Sequence, residues 1–153
     1  MPLQKLRDFL DQHNTKYILI VHSPAFTAQE VAASAHVPGK QLAKTVILKL
    51  DGQMAMCVMP AHKKIDFEKC KEQMNARQVE LASEEEFKYA FPECETGAMP
   101  PFGNLYDMPV YVCETLANND DIAFVAGSHR ELIKLNYRDF ERLVNPKIVR
   151  VQD

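Results

Sequence analysis

Three segments of this chain carry polar chemistry in settings that are otherwise apolar. Lys44 opens the β-forming run Thr45-Val46-Ile47-Leu48. A glycine–proline loop, Gly97-Ala98-Met99-Pro100-Pro101-Phe102-Gly103, interrupts the middle of the chain. Ala126-Gly127-Ser128-His129 closes a second apolar run. Together they offer one cation, loop amides and one imidazole, with no carboxylate pair and no metal-ligand spacing. Such groups can hold an anion and stabilise charge developing on an oxygen. No metal and no cofactor is expected.

Each candidate has a plain alternative. Lys44 and Val46, two residues apart on a strand, share a sheet face. If Val46 points inward, the ammonium lies at the rim of the core and needs a phosphate or carboxylate partner. Otherwise it reaches solvent along its own stem. The prolines of the 97–103 loop rule out helix and central strand, and its glycines let a ligand approach the backbone. N–H groups near Gly97 would then orient a carbonyl, an oxyanion or a water; the alternative is a simple connection. No Gly-Lys-Ser/Thr follows, so this is not a phosphate loop of the Walker kind. Ser128 and His129 are sequence neighbours and are not assumed to form a nucleophile–base pair. His129 is either a substrate-contacting imidazole or a surface histidine. His13 and His36 sit at helix ends and His62 in a lysine-rich turn. His22 ends a strand before Ser23-Pro24 and is a candidate cleft residue. The run Glu84-Glu85-Glu86 belongs at a helix N-terminus, where negative charge is favoured.

The elements that must position these residues follow from pattern. A helix is expected over 3–12, with Leu3, Leu6 and Leu10 on one face. Tyr17–Val21 reads as a strand. Thr27 and Glu30 form a capping box for a second helix, whose Ala28, Val31, Ala32 and Ala35 make a small-residue face. Pro38-Gly39 ends it. Strands over 45–50 and 54–59 flank the hairpin turn Asp51-Gly52. The second is apolar throughout, which predicts cover on both faces. Asp66 caps a helix that buries Phe67, Cys70 and Met74. Val79–Leu81 is a short edge strand, and Ser83 with Glu86 forms a further capping box, with Phe87 inward. Strands over 110–113, 122–125 and 132–135 follow, then a helix begun by Asn136 and Asp139 that carries Tyr137, Phe140 and Val144. The 148–151 tail adds a last edge strand. This order predicts an α/β domain with a mixed, strongly curved or barrel-like β-sheet flanked by helices. Strict βα alternation and a Gly-x-Gly-x-x-Gly are both missing, which disfavours a Rossmann fold.

Composition sets the remaining bounds. The 153 residues suit one domain, 1–153, with no repeat or linker. No apolar run is long enough to span a bilayer. The N-terminus turns polar too early for a signal peptide, so a cytoplasmic location is expected. Cys57, Cys70, Cys94 and Cys113 contain no Cys-x-x-Cys, and Cys57 and Cys113 fall in strands as small buried residues. A net charge of −3 argues against a protein that binds duplex DNA by phosphate neutralisation. It leaves room for a grip on one RNA end, to which Lys63-Lys64 could contribute.

Taken together, these segments resemble the YbaK/prolyl-tRNA-synthetase editing-domain family, the ProX-type aminoacyl-tRNA deacylases. The likeness covers nearly the whole chain. It is carried by Thr27-Ala28-Gln29-Glu30-Val31-Ala32, by Gly39 through Lys44 entering Thr45-Val46-Ile47-Leu48, by Gly97-x-x-x-Pro101-x-Gly103 and by Ala126-Gly127 before His129. The resemblance implies a free-standing, trans-editing form. It implies that Lys44 holds the charged 3′ end of an aminoacyl-tRNA, and that Gly97 amides place the ester carbonyl or the water. Pro101 stiffens that loop, and His129 lines the amino-acid pocket. Phe26, Thr27, Met99, Gly127 and Ser128 are further expected pocket residues. The implied substrate is a small amino acid of Ala, Ser, Thr or Cys type on the wrong tRNA. The implied partners are the acceptor end and a synthetase, without DNA or membrane. Two other functions fit the same cleft: a noncatalytic tRNA- or synthetase-binding module, and a hydrolase of small esters.

Overall fold

A computed structural model describes residues 4–21, 38–95 and 97–152. The helix α1 (Gln4–Gln12) buries Leu6 and Leu10 completely, as their four-residue spacing requires. Strand β1 (Tyr17–Val21) follows. A hairpin joins β2 (Ala43–Leu50) to β3 (Gln53–Pro60) through Asp51 and Gly52, both at positive φ (50° and 88°), the conformation of a type I′ turn. Next come α2 (Phe67–Gln73), β4 (Val79–Leu81), α3 (Glu84–Phe87), β5 (Val110–Cys113), α4 (Glu114–Ala117), β6 (Asp121–Val125), β7 (Glu131–Asn136), α5 (Tyr137–Val144) and β8 (Lys147–Val149). The caps are those the sequence announces. Asp66 accepts from the Glu68 and Lys69 amides, Ser83 and Glu86 bond reciprocally, and Asn136 accepts from the Arg138 amide. The Thr27 capping box lies outside the described residues.

The expected α/β architecture with a mixed sheet is present, but the described strands divide into two sheets rather than one barrel-like sheet. One has the order β1-β7-β6 and is antiparallel throughout. The other has the order β4-β2-β3-β5-β8, antiparallel as far as β3 and parallel from β3 to β5 and β8. Among the described residues neither sheet closes on itself. A parallel bridge between Leu42 and Ala123 joins the two.

Strand periodicity sorts the apolar residues into layers. From β3 and β5, Met56, Val58, Val110 and Val112 face the main core, where Ile122, Phe124, Ile133 and Leu135 of the other sheet meet them. The alternate residues Cys57, Met59 and Cys113 face the opposite way and are covered by Cys70 and Met74 from α2 and its C-terminus. This two-sided burial is why β3 carries no polar residue after Gln53. Phe102 anchors the main core, with ring centroids 5.6 Å from Phe124 and 5.5 Å from Phe140.

Gly103 follows Phe102 at a place where no side chain fits. A Cβ there would lie 2.4 Å from the Met108 carbonyl oxygen and 2.6 Å from a Val110 methyl. Gly103→Ala therefore forces the loop off its seat and is expected to destabilise the fold by about 1–3 kcal/mol. Urea denaturation would read this as a lower midpoint at unchanged slope; an unchanged midpoint would show that the loop can shift without cost.

Candidate functional site

The glycine–proline loop is held by main-chain bonds to the β6–β7 turn. The Gly127 amide donates to the Ala98 carbonyl, and the Glu95 amide donates to the Gly127 carbonyl, each at 2.9 Å. The Ala98 amide donates to the Glu95 carbonyl at 3.0 Å, so that amide is committed to the loop itself. Gly97 (φ 83°) and Gly127 (φ 95°) both take left-handed backbone conformations, which explains glycine at each. Ala98, Met99, Pro100, Pro101 and Phe102 are all buried beneath them. Met99 packs into the main core, so it supports the wall from behind. Pro101 is buried with it.

His129 comes back against this loop. A Cβ placed on Gly97 would stand 3.6 Å from the imidazole Cε1 and 3.9 Å from Nε2. Two residues 32 positions apart thus face each other across a gap that a single methyl would fill. Ser128 is buried, and its Oγ accepts from the Arg130 amide at 3.3 Å. Its hydroxyl oxygen thus bonds within the turn that carries His129.

Lys44 approaches from the other sheet. It shares a face with Val46, and both point away from the main core toward the Cys57 and Met59 side, their Cα partners on β3 being Met59 and Cys57. The ammonium donates to the Lys63 carbonyl at 2.5 Å and is half-buried. Its charge also reaches the thiols of Cys57 and Cys113, which bond each other. The Cys57 thiol is pushed well up, first by that bond and then by burial, while the same bond holds Cys113 down; Lys44 favours the thiolate at both. Because Leu42 and Ala123 bridge in parallel, the chain leaves both in the same direction. Two residues on stand Lys44 and Val125, and Val125 leads into Ala126-Gly127. Gly97, Gly127 and His129 are thus brought together, and Lys44 lies on the strand beside the one that leads into Gly127.

Phe26, Thr27 and His22 lie outside the described residues. Sequence reasoning missed the Lys63 carbonyl, since a main-chain acceptor leaves no trace in residue type. It also missed Glu131, a buried carboxylate two residues beyond His129; an acid at the head of the apolar run Leu132-Ile133 is the signal that marks it. A recess of about 740 Å³ between α4 and α5 contains none of the expected residues. Its lining holds Glu114, Asp120 and Glu141 against one cation, Arg138, a balance that repels phosphate. The site at the sheet junction is the better candidate on chemical grounds.

Similarity to known proteins identifies the family. The profile of the aminoacyl-tRNA editing domain family matches residues 22–143. The prolyl-tRNA editing protein ProX of Acetoanaerobium sticklandii is 24% identical over 141 residues, covering 88% of this chain and 85% of that protein. Among solved structures, a hypothetical protein superposes with a TM-score of 0.86 at 20% identity, over 97% of this chain and 99% of its own. A candidate trans-editing enzyme for prolyl tRNA synthetase gives a TM-score of 0.84 at 16% identity, over 98% and 96%. These two likenesses establish the fold. The chain belongs to the aminoacyl-tRNA editing domain family, and its class is that of the aminoacyl-tRNA deacylases, hydrolases of a carboxylic ester. Among the described residues no helix is long and apolar enough to cross a membrane.

Gly97→Ala places an L-residue at φ 83°, a strain of about 1–2 kcal/mol, and sets a methyl against the His129 ring. The substitution is expected to slow single-turnover ester hydrolysis by roughly tenfold or more while changing substrate affinity little. A variant that loses affinity but keeps its cleavage rate would make the loop a docking element instead.

Proposed function

We propose that this chain is a trans-editing deacylase that hydrolyses the ester between a small amino acid, of Ala, Ser, Thr or Cys type, and the terminal ribose of a mischarged tRNA. The observation that carries this reading is the packing of Gly97, Gly127 and His129 against one another, with Lys44 on the strand bridged to the one that leads into Gly127. An aminoacyl ester is already activated, so hydrolysis needs an aligned water and stabilisation of the developing oxyanion rather than a covalent nucleophile. The site suits that demand. Ser128 is committed to its turn, and the loop that would face the ester carbonyl is fixed by main-chain bonds.

In this reading Lys44 holds a phosphate or the terminal ribose end by charge, with one of its three donors anchored on Lys63. Gly97 backbone groups place the carbonyl or the water. His129 bounds the amino-acid pocket. The preference for a small side chain is supported by the closeness of the imidazole and Gly97: a single methyl added there touches the ring. A large side chain held between those walls would displace one of them. The 2′- or 3′-hydroxyl of the terminal ribose supplies a further group able to assist the water. A synthetase is the natural source of the mischarged tRNA.

The test is a panel of tRNAs charged with Ala, Ser, Thr, Cys, Leu and Phe, run beside the same amino acids as simple methyl esters. Release of small residues from tRNA alone is the expected result. Release from both substrates would point to a general esterase, tight binding without release to a noncatalytic module, and a preference for Leu or Phe would overturn the small pocket. Lys44→Ala should lower kcat/KM by about ten- to a hundredfold, the worth of one charge-assisted contact. Lys44→Arg should recover little, since a planar fork replaces a point charge. Full activity in a folded Lys44→Ala protein would remove Lys44 from the mechanism.

A further inference from the structure

Between Pro38 and Ile65 the chain carries a single acid, Asp51, and that residue sits in the β2–β3 turn, at the far end of the hairpin from Lys44. The near end carries Lys40, Lys44, His62, Lys63 and Lys64. In a protein of net charge −3 this is a marked segregation of positive charge. Lys40, His62 and Lys64 are exposed, and Lys63 is half-buried.

The backbone under these residues is fixed. The 38–42 turn is closed by the Gln41 amide donating to the Pro38 carbonyl at 2.9 Å and the Leu42 amide to the Gly39 carbonyl at 3.2 Å. The 60–63 turn is closed by the Lys63 amide on the Pro60 carbonyl at 3.1 Å. The Ala61 amide donates to the Leu42 carbonyl at 2.9 Å and ties the two turns together. Asn119, just before β6 of the other sheet, donates its side-chain Nδ2 to the Lys40 carbonyl at 3.1 Å. The next carboxylate along the chain, Asp66, is occupied as the cap of α2. The Lys44 ammonium is itself bound to the Lys63 carbonyl, so the cation of the site and the basic turn form one rigid piece.

We infer that the 61–64 turn, with Lys40, is a binding strip for the phosphates of the RNA strand that ends in the site. This rests on the reading of Lys44 as the anchor of the terminal nucleotide. A ribose ester held there must be followed by the strand's own phosphates. Along the chain these two turns carry no acid and are continuous with Lys44, while across the fold Asn119, which bonds Lys40, is followed by Asp120 and Asp121. The contacts are to the nucleic-acid backbone, so they position the strand without reading its bases.

Lys63→Ala/Lys64→Ala is the variant that tests it, because alanine at 63 keeps the carbonyl that anchors Lys44. Two substrates are compared, the mischarged tRNA and the same amino acid on adenosine alone. Binding of uncharged tRNA is measured over a range of salt concentrations. The tRNA-to-adenosine ratio of kcat/KM is expected to fall about tenfold. The slope of log affinity for uncharged tRNA against log salt should fall by roughly one to two, one for each phosphate no longer neutralised. An unchanged ratio with an unchanged slope overturns the strip. An equal loss on both substrates also overturns it, since the turn would then act only through Lys44. A wild-type protein inactive on both substrates contradicts the deacylase reading alone; the strip is then decided by the salt slope.

Discussion

Among the described residues the two sheets are joined by a parallel bridge, Leu42 to Ala123, and the proposed site rests on that contact. Leu42, Ala123 and Leu132 form a small buried cluster of their own there, with Ile20, Ala61 and Val125 packed on it. The bridge runs in the parallel sense, so both strands travel toward the same end of the molecule. That places a cation from one sheet opposite a glycine turn from the other. Beyond the bridge β2 turns its edge to β4, and the β6 chain turns back into β7. Two strands that begin side by side thus part beyond the bridge. The same logic puts ligand sites where neighbouring strands part in open sheets.

Rigidity at this junction comes largely from backbone groups. The 97–102 loop is seated on Gly127 by two main-chain bonds and backed by buried Met99, Pro101 and Phe102. The Lys44 ammonium is likewise held by a main-chain carbonyl. Backbone held in this way is the kind of rigid support that preorganised transition-state stabilisation requires.

Much of the fold was legible in the sequence because its signals are local. Asp66, Ser83 with Glu86, and Asn136 cap the helices their positions announce, and Asp51-Gly52 makes the turn its type demands. The all-apolar run of β3 correctly signalled cover on both faces. What stayed hidden was long-range. Nothing in Val110–Cys113 distinguishes a strand parallel to β3 from one antiparallel to it, since the choice is made by the chain between them. The partition into two sheets has the same origin. The four-residue α4 is too short to show a helical period. At the site, Gly97 and His129 were each visible as residue types, but their mutual contact depends on the loop's seat on Gly127. The Lys63 carbonyl and the clash that fixes Gly103 belong to the backbone and have no sequence signature.

The central claim is that Lys44 and the Gly97–Gly127–His129 cluster bind one ligand together. The most direct test is an NMR titration with alanyl-adenosine in which an amide replaces the labile ester. The account predicts that the backbone resonances of Lys44, Gly97 and Gly127 and the His129 ring shift along one saturation curve. Shifts confined to a single wall, or centred on the α4–α5 recess around Glu114 and Glu141, would contradict it.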